Sequence, residues 1–428
     1  MFNQFRLSRR YPAQLWLLFW GTLAGSVGQS MVWPFLTIHM RERLGVPLTT
    51  ITLLFTLQSI AGFAATALLG PLMDRTGRKR PMILGSVASG FVLLAAMGAD
   101  QLWQWAILLP LYGMVNSVFR VGCYAMVADR VEPERRAEVY ALLRMGDNTG
   151  IAIGPALGGF LIALASFLSY LIAAISQFML AIFVSVIVRE TLAHVPDQRR
   201  SAPRPLAGYG LIRRDHTFMN LWGLFILNGV ASSMVFVLLG VYVKENFDIA
   251  EGRFGFIIGT NAVMVVFLQY SITRRSMSYA PLRVMSSGAL FYAAGLVVFA
   301  LSQGFPVFLL GMVILTIGEM LIVPTGTALV ANLAPEDMRA RYIGLYTLSF
   351  RVASGIGPVL GGFLSEQIAP VATWYGGACV CLTAASGYAM LARRWRKVEQ
   401  ARVLAAGSHP VKNDVSVLSG QEDQAAVG

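Results

Sequence analysis

Residues Gly150–Leu161 read GIAIGPALGGFL, and residues Ala353–Leu364 read ASGIGPVLGGFL. Glycine and proline usually mark turns, yet both copies lie inside long apolar stretches. In lipid such residues have a use, because helices there associate by close packing and small side chains let backbones approach. Gly150, Gly154 and Gly158 recur every fourth residue and share one stripe of a helix. Ala353, Gly357 and Gly361 form the same stripe in the second copy. Pro155 and Pro358 each free a backbone carbonyl and permit a bend. Together with Gly159, these positions form either a moving helix interface or static packing.

The likeness extends outward from the two strings. RAEVYALLRMGDNTGIAIGPALGGFL from Arg136 aligns without gaps to RARYIGLYTLSFRVASGIGPVLGGFL from Arg339, and VADRVEPE and VANLAPED lead into them. The chain of 428 residues is 56% hydrophobic and 13% charged, about half the charge of a soluble domain. Its apolar runs of about 20 residues match a hydrocarbon core of about 30 Å. Twelve spans are expected, at about 13–37, 48–70, 81–99, 102–126, 138–163, 167–188, 218–240, 253–272, 282–302, 306–331, 341–364 and 372–391. No cleavable signal peptide is evident, and the first span serves as its own signal.

The expected organisation is all-α and membrane-integral: a six-helix bundle over 1–188, a linker over 189–217, a second six-helix bundle over 218–396, and a disordered tail over 397–428. VPDQRRSAPRPLAG marks the linker.

The net charge of +12 reports orientation rather than a nucleic-acid partner. Basic residues cluster in alternate connections, from Arg6, Arg9 and Arg10 through Arg78, Lys79 and Arg80 to the tail after Arg393. The opposite connections carry only Arg41, Arg43, Lys244 and Arg253. Both termini are therefore expected in the cytoplasm, with the chain in a plasma (inner) membrane. Cys123, Cys379 and Cys381 fall within spans and are read as unpaired. The four histidines share no metal-ligand spacing, so no metal and no cofactor is expected.

Two similar six-span halves are the repeat pattern of secondary transporters, with the site between them near the bilayer midplane. That architecture, the doubled GPxxGG and the segment GPLMDRTGRKRP (Gly70–Pro81) resemble the major facilitator superfamily up to about Arg396. Within it the chain is most similar to the twelve-span drug:proton antiporters. The resemblance implies alternating access, no enzymatic activity, and a proton gradient as the energy source. It also implies a small-molecule cargo and a monomer in the bilayer. Proton-coupled efflux of amphipathic or cationic compounds is the expected activity. A specific metabolite such as a sugar, or a lipid-handling or receptor-like role, remains as an alternative.

In relatives, the G-x-x-x-D-R-x-G-R-K segment latches the outward-open state. Carried over, the latch comprises Gly70, Asp74, Arg75, Gly77 and Arg78, with Asp129 as the partner of Arg78. The corresponding loop of the second half has Thr273 near the acid's position.

Five ionisable residues fall well inside spans: Arg120, Arg144, Asp147, Glu319 and Arg351. Each costs about 2.5–3.5 kcal/mol at a helix centre on insertion scales and needs a partner or water. Similar depth predicts an Arg120–Asp147 pair and a Glu319–Arg351 interaction, as structural ion pairs or as working groups. In antiporters the span-4 arginine is linked to proton handling. Burial favours the neutral form of a carboxyl group, so Glu319 is expected as the acid for which proton and cargo compete. Gln29, Trp33, Gln58, Asn116, Asn228 and Asn261 are expected to line the cavity or to glue helices together.

Overall fold

The computed structural model describes residues 13–131, 133–191, 209–335 and 338–405. Helix α1 (Ala13–Val32) passes through a 3-10 turn at Trp33–Phe35, where Pro34 interrupts the hydrogen-bond ladder, into α2 (Leu36–Leu44). The first half continues with α3 (Leu48–Thr76), α4 (Lys79–Met97), α5 (Leu102–Arg130), α6 (Pro133–Leu164) and α7 (Ser166–Val186). A short helix, α8 (Tyr209–Arg214), falls within the expected linker, whose residues 192–208 lie outside the described residues. The second half comprises α9 (His216–Phe247), α10 (Glu251–Ser276), α11 (Pro281–Ala300), α12 (Phe305–Leu333), α13 (Arg339–Gln367) and α14 (Ala372–Ala405). Helix α14 runs beyond the point where the tail was expected to begin, and residues 406–428 lie outside the described residues.

With α1 and α2 taken as one, twelve long helices among the described residues match the twelve expected spans in order. Ten are long and apolar enough to cross a membrane by composition, among the described residues. The two that fall short are α1, with Ser26, Gln29 and Ser30, and α6, with Arg144, Asp147 and Asn148. Those polar residues line an internal cavity instead of meeting lipid. Outward faces carry Leu68, Leu84, Val186 and Phe267, each about 70% exposed. So much large apolar surface is tolerable only against a bilayer.

The sequence repeat becomes a packing repeat. In the first half α1 packs on α6 and α7, α3 on α5, α4 on α5 and α7; in the second, α9 packs on α13 and α14, α10 on α12, α11 on α12 and α14. The halves touch through α6 against α10 and through α13 against α3, which exchange under the same correspondence. The glycine stripes explain the first set of contacts. A Cβ on Gly158 would lie 2.1 Å from the Met31 carbonyl oxygen, and one on Gly357 would lie 2.4 Å from that of Val230. Ser30 Oγ donates to the Gly150 carbonyl at 3.0 Å, and Ser233 Oγ donates to the aligned Ala353 carbonyl at 3.0 Å. Each stripe therefore locks two helices within one half.

The contact between halves uses the adjoining face. Pro155 and Gly159 abut Gly255 of α10, and Gly362 abuts Thr49 and Thr52 of α3. At the end of the molecule away from the chain termini, Arg41 Nε binds Glu245 Oε1 at 2.8 Å. Glu366 accepts hydrogen bonds from the Leu48 and Thr49 backbone N–H groups and the Thr49 hydroxyl. A carboxylate of one half thus caps a helix of the other, where the helix dipole favours negative charge. Further along the same seam, Thr56 Oγ1 donates to the Gly355 carbonyl at 2.6 Å, and the Ser59 and Ser354 hydroxyls lie 3.3 Å apart. These contacts close the far end. Among the described residues no such polar contact joins the halves near the termini.

Candidate functional site

Between the halves lies a cavity of about 570 Å³. Trp33 and Phe55, in edge-to-face contact with ring centroids 5.2 Å apart, belong to its wall. Gln29, Trp33, Gln58, Asn116 and Asn261 line it as expected, and so do all five intramembrane charges.

Asn228 does not line it. Helix α9 turns Ser233, Phe236 and Val237 to the cavity. Asn228 precedes Val237 by nine residues, about two and a half turns, and so falls on the opposite side. There it is buried, and its Oδ1 accepts no hydrogen bond among the described residues.

Glu319 sits on α12, and Asn261 of α10 reaches it. Asn261 Nδ2 donates to Glu319 Oε2 at 2.7 Å and to Thr316 Oγ1 at 3.1 Å. The expected Glu319–Arg351 ion pair is not formed; the nearby amide occupies the carboxylate. Arg144 of the other half exerts its field on Glu319.

The expected Arg120–Asp147 pair is not formed either. Asp147 Oδ1 accepts from Ser26 Oγ, across the α1–α6 contact that the glycine stripe brings close. Arg120 and Arg144 are exposed to the cavity. Arg351 extends from α13 toward the other half, where a Cβ on Gly62 of α3 would lie 3.3 Å from its Nη1. Depth along the span is legible in a sequence; which way a helix is turned is not, and rotation decided these pairings.

In the expected latch, Arg78 Nε meets Asp129 Oδ2 at 3.2 Å. Gly77 adopts φ +91°, a backbone conformation that requires glycine, and a Cβ there would also press on the Glu190 carboxylate at 2.5 Å. The side chains of Asp74 and Arg75, and the surroundings of Gly70, lie outside the described residues. Sequence reasoning missed Glu190. Its carboxylate accepts from the Arg78 and Lys79 backbone N–H groups at 3.1 and 3.0 Å, capping α4. Thr191 Oγ1 adds a bond to Asp129 at 2.8 Å. Glu190 lies 111 residues from Lys79, and no local pattern links the two.

No group of three potential metal ligands occurs among the described residues. Cys123, Cys379 and Cys381 are free thiols.

Known proteins agree with this geometry. The family model described as Major Facilitator Superfamily matches residues 18–274 and 221–418. A Na(+), Li(+), K(+)/H(+) antiporter of Planococcus maritimus is 26% identical over 379 residues, covering 81% of this chain and 86% of that protein. The multidrug resistance protein MdtH of Yersinia pestis (strain Pestoides F) is 24% identical over 360 residues, covering 82% of this chain and 86% of that protein. Among solved structures, a bacterial homologue of the human lysosomal transporter Spinster, inward-facing and unoccupied, superposes with a TM-score of 0.74. It is 11% identical and covers 90% of this chain and 97% of that one. Twelve long helices among the described residues in two matching halves, a charged cavity between them and a family match across both halves lead to one assignment: the chain belongs to the Major Facilitator Superfamily and is a membrane transporter, not an enzyme.

Proposed function

We propose that the protein is a proton-coupled antiporter that exports small amphipathic compounds by alternating access. The positive-inside distribution supports termini on the cytoplasmic side of a plasma membrane, and this reading opens the cavity to that side. In this reading cargo enters from the cytoplasm, the mouth closes, the far end opens, and a proton taken up there displaces the cargo.

The observation that carries the reading is the setting of Glu319: a cavity-lining carboxylate between the halves, held by one amide and joined to no cation within 4 Å among the described residues. Such a group is open to a proton or to a positively charged part of a cargo, but not to both. That exclusion is the coupling rule of antiport.

The test is relaxation of an imposed pH gradient in inside-out vesicles on adding candidate compounds. Wild type is expected to release the gradient, and Glu319→Gln to lose at least tenfold of that rate. Unchanged exchange by Glu319→Gln would remove this carboxylate from the mechanism. The relative named as a monovalent cation/H(+) antiporter favours a second reading, in which the same carboxylate exchanges protons for an inorganic cation. Sodium, potassium and lithium chlorides therefore form a parallel arm of the same assay.

A further inference from the structure

Three guanidinium groups face the cavity: Arg120 and Arg144 from the first half and Arg351 from the second. Among the described residues, none lies within 4 Å of a carboxylate. Against them stand two cavity acids, Asp147 and Glu319, each already accepting a hydrogen bond from a neutral side chain. With all five ionised, the cavity keeps one positive charge.

Arg120 and Arg351 come from opposite halves, and the charge of Arg120 acts on Arg351 with no acid joined to either. Like charges that line one cavity repel unless something anionic sits between them. Two cations without an anion are a defect that one anionic group of a ligand satisfies.

Charge bookkeeping selects the class of ligand. A purely cationic cargo would meet a net positive cavity. A purely anionic cargo would be held by the arginines, but protonation of Glu319 would then make the cavity more positive and tighten the hold. Proton and anion would bind together, as in symport. Only a cargo bearing both charges fits exchange: its anionic end on the arginines gives affinity, and its cationic end on Glu319 competes with the proton. We propose that the transported compound is a zwitterion with an apolar body, its acidic group held between Arg120 and Arg351 and its ammonium group at Glu319. The groups facing Glu319 are Asn261 and Thr316 from its own half, and Arg144 across the cavity; the Tyr292 hydroxyl feels its charge. The inference rests on the antiport reading for its choice of zwitterion over anion.

Three probes that share one fluorophore test it. Nα-dansyl-lysine carries a carboxylate and an ammonium, dansylcadaverine lacks the carboxylate, and dansyl-6-aminohexanoate lacks the ammonium. Binding to the purified full chain is followed by fluorescence, and proton release is followed in weak buffer. Dansyl-lysine is expected to bind at least tenfold more tightly than either partial analogue and to release protons as it binds. Arg351→Gln should weaken dansyl-lysine at least tenfold and dansylcadaverine much less, with Arg351→Lys intermediate and folding checked by thermal unfolding. Equal binding of dansyl-lysine and dansylcadaverine by wild type overturns the proposal, as does no binding of dansyl-lysine. Proton release by dansylcadaverine alone would keep antiport and remove the zwitterion. Arginine-dependent binding of dansyl-lysine without proton release would keep the anion site and remove antiport.

Discussion

At the scale of single residues, the backbone-to-backbone approach at Gly158 is the tightest the glycine stripe makes. A Cβ there would press 2.1 Å from the Met31 carbonyl oxygen, and that oxygen is fixed in its own helix. Gly158→Ala is therefore expected to cost about 1–3 kcal/mol, the range for overpacking a filled contact. Gly223, inside α9, has no atom within 4 Å of a built Cβ. Gly223→Ala should instead stabilise by about 0.5–1 kcal/mol through helix propensity. Thermal unfolding in detergent separates the two, and equal effects would contradict the packing account.

His39, beyond the first span, supplies a pH dependence. It stacks near Tyr170 and Trp105, with ring centroids 4.9 and 6.0 Å away, and its buried Nε2 has no hydrogen-bond partner among the described residues. Burial, and after it the charge of Arg43, lowers its pKa from 6.5 to about 4, while Asp100 opposes them. Between those values the unfolded chain binds a proton that the folded chain refuses. Stability is thus intact above pH 6.5 and falls as pH drops toward 4, by up to about 3 kcal/mol. His39→Gln should flatten that slope in melts taken between pH 7.5 and 4.5. An unchanged slope would place the acid sensitivity elsewhere.

At the scale of elements, the clearest device is the carboxylate of α13 seated on the first turn of α3. The accompanying Arg41–Glu245 pair is partly exposed, at 31% and 43%, and pairs of that kind contribute little. The cap contributes about 1–2 kcal/mol to the closure at the far end, the range for a partly buried charge at a helix N-terminus. Glu366→Gln is expected to shift the population toward the far-end-open state by about five- to thirtyfold. Spin labels at Gly98 and Gly304, neither of which has neighbours to disturb, would report this as a longer distance component. An unchanged distribution would assign the closure to the other contacts of the seam.

The helices themselves were legible from hydropathy and from the doubled glycine motif, because spans and close-packing stripes are local properties of sequence. The partner of each stripe was not. Gly150, Gly154 and Gly158 fit a sliding surface as well as a fixed one, and only the structure sets them against α1 while turning Pro155 and Gly159 to α10. Arg78 and Asp129 were paired through the family resemblance of the loop segment, and the structure joins them at 3.2 Å. Arg120 and Asp147 lie mid-helix, and a turn of either helix redirects them.

At the scale of the whole molecule, each half is tied by glycine-tight contacts, α1 on α6 and α9 on α13, while the seam between halves combines small residues, a few hydroxyls, the far-end carboxylate, the Arg41–Glu245 pair and apolar contacts such as Phe35 on Phe254. That distribution suits two bodies that rock about a central cavity. It predicts that fixing the seam stops transport without damaging either half. A Cβ on Gly362 would lie 3.4 Å from Thr49 Cα, close enough for a disulfide. The most direct measurement is vesicle transport by a Thr49→Cys, Gly362→Cys variant in which the exposed Cys379 is replaced by serine. With the bridge formed, flux should vanish, and with the bridge reduced, flux should return. Full flux through the bridged protein would contradict alternating access at this cavity.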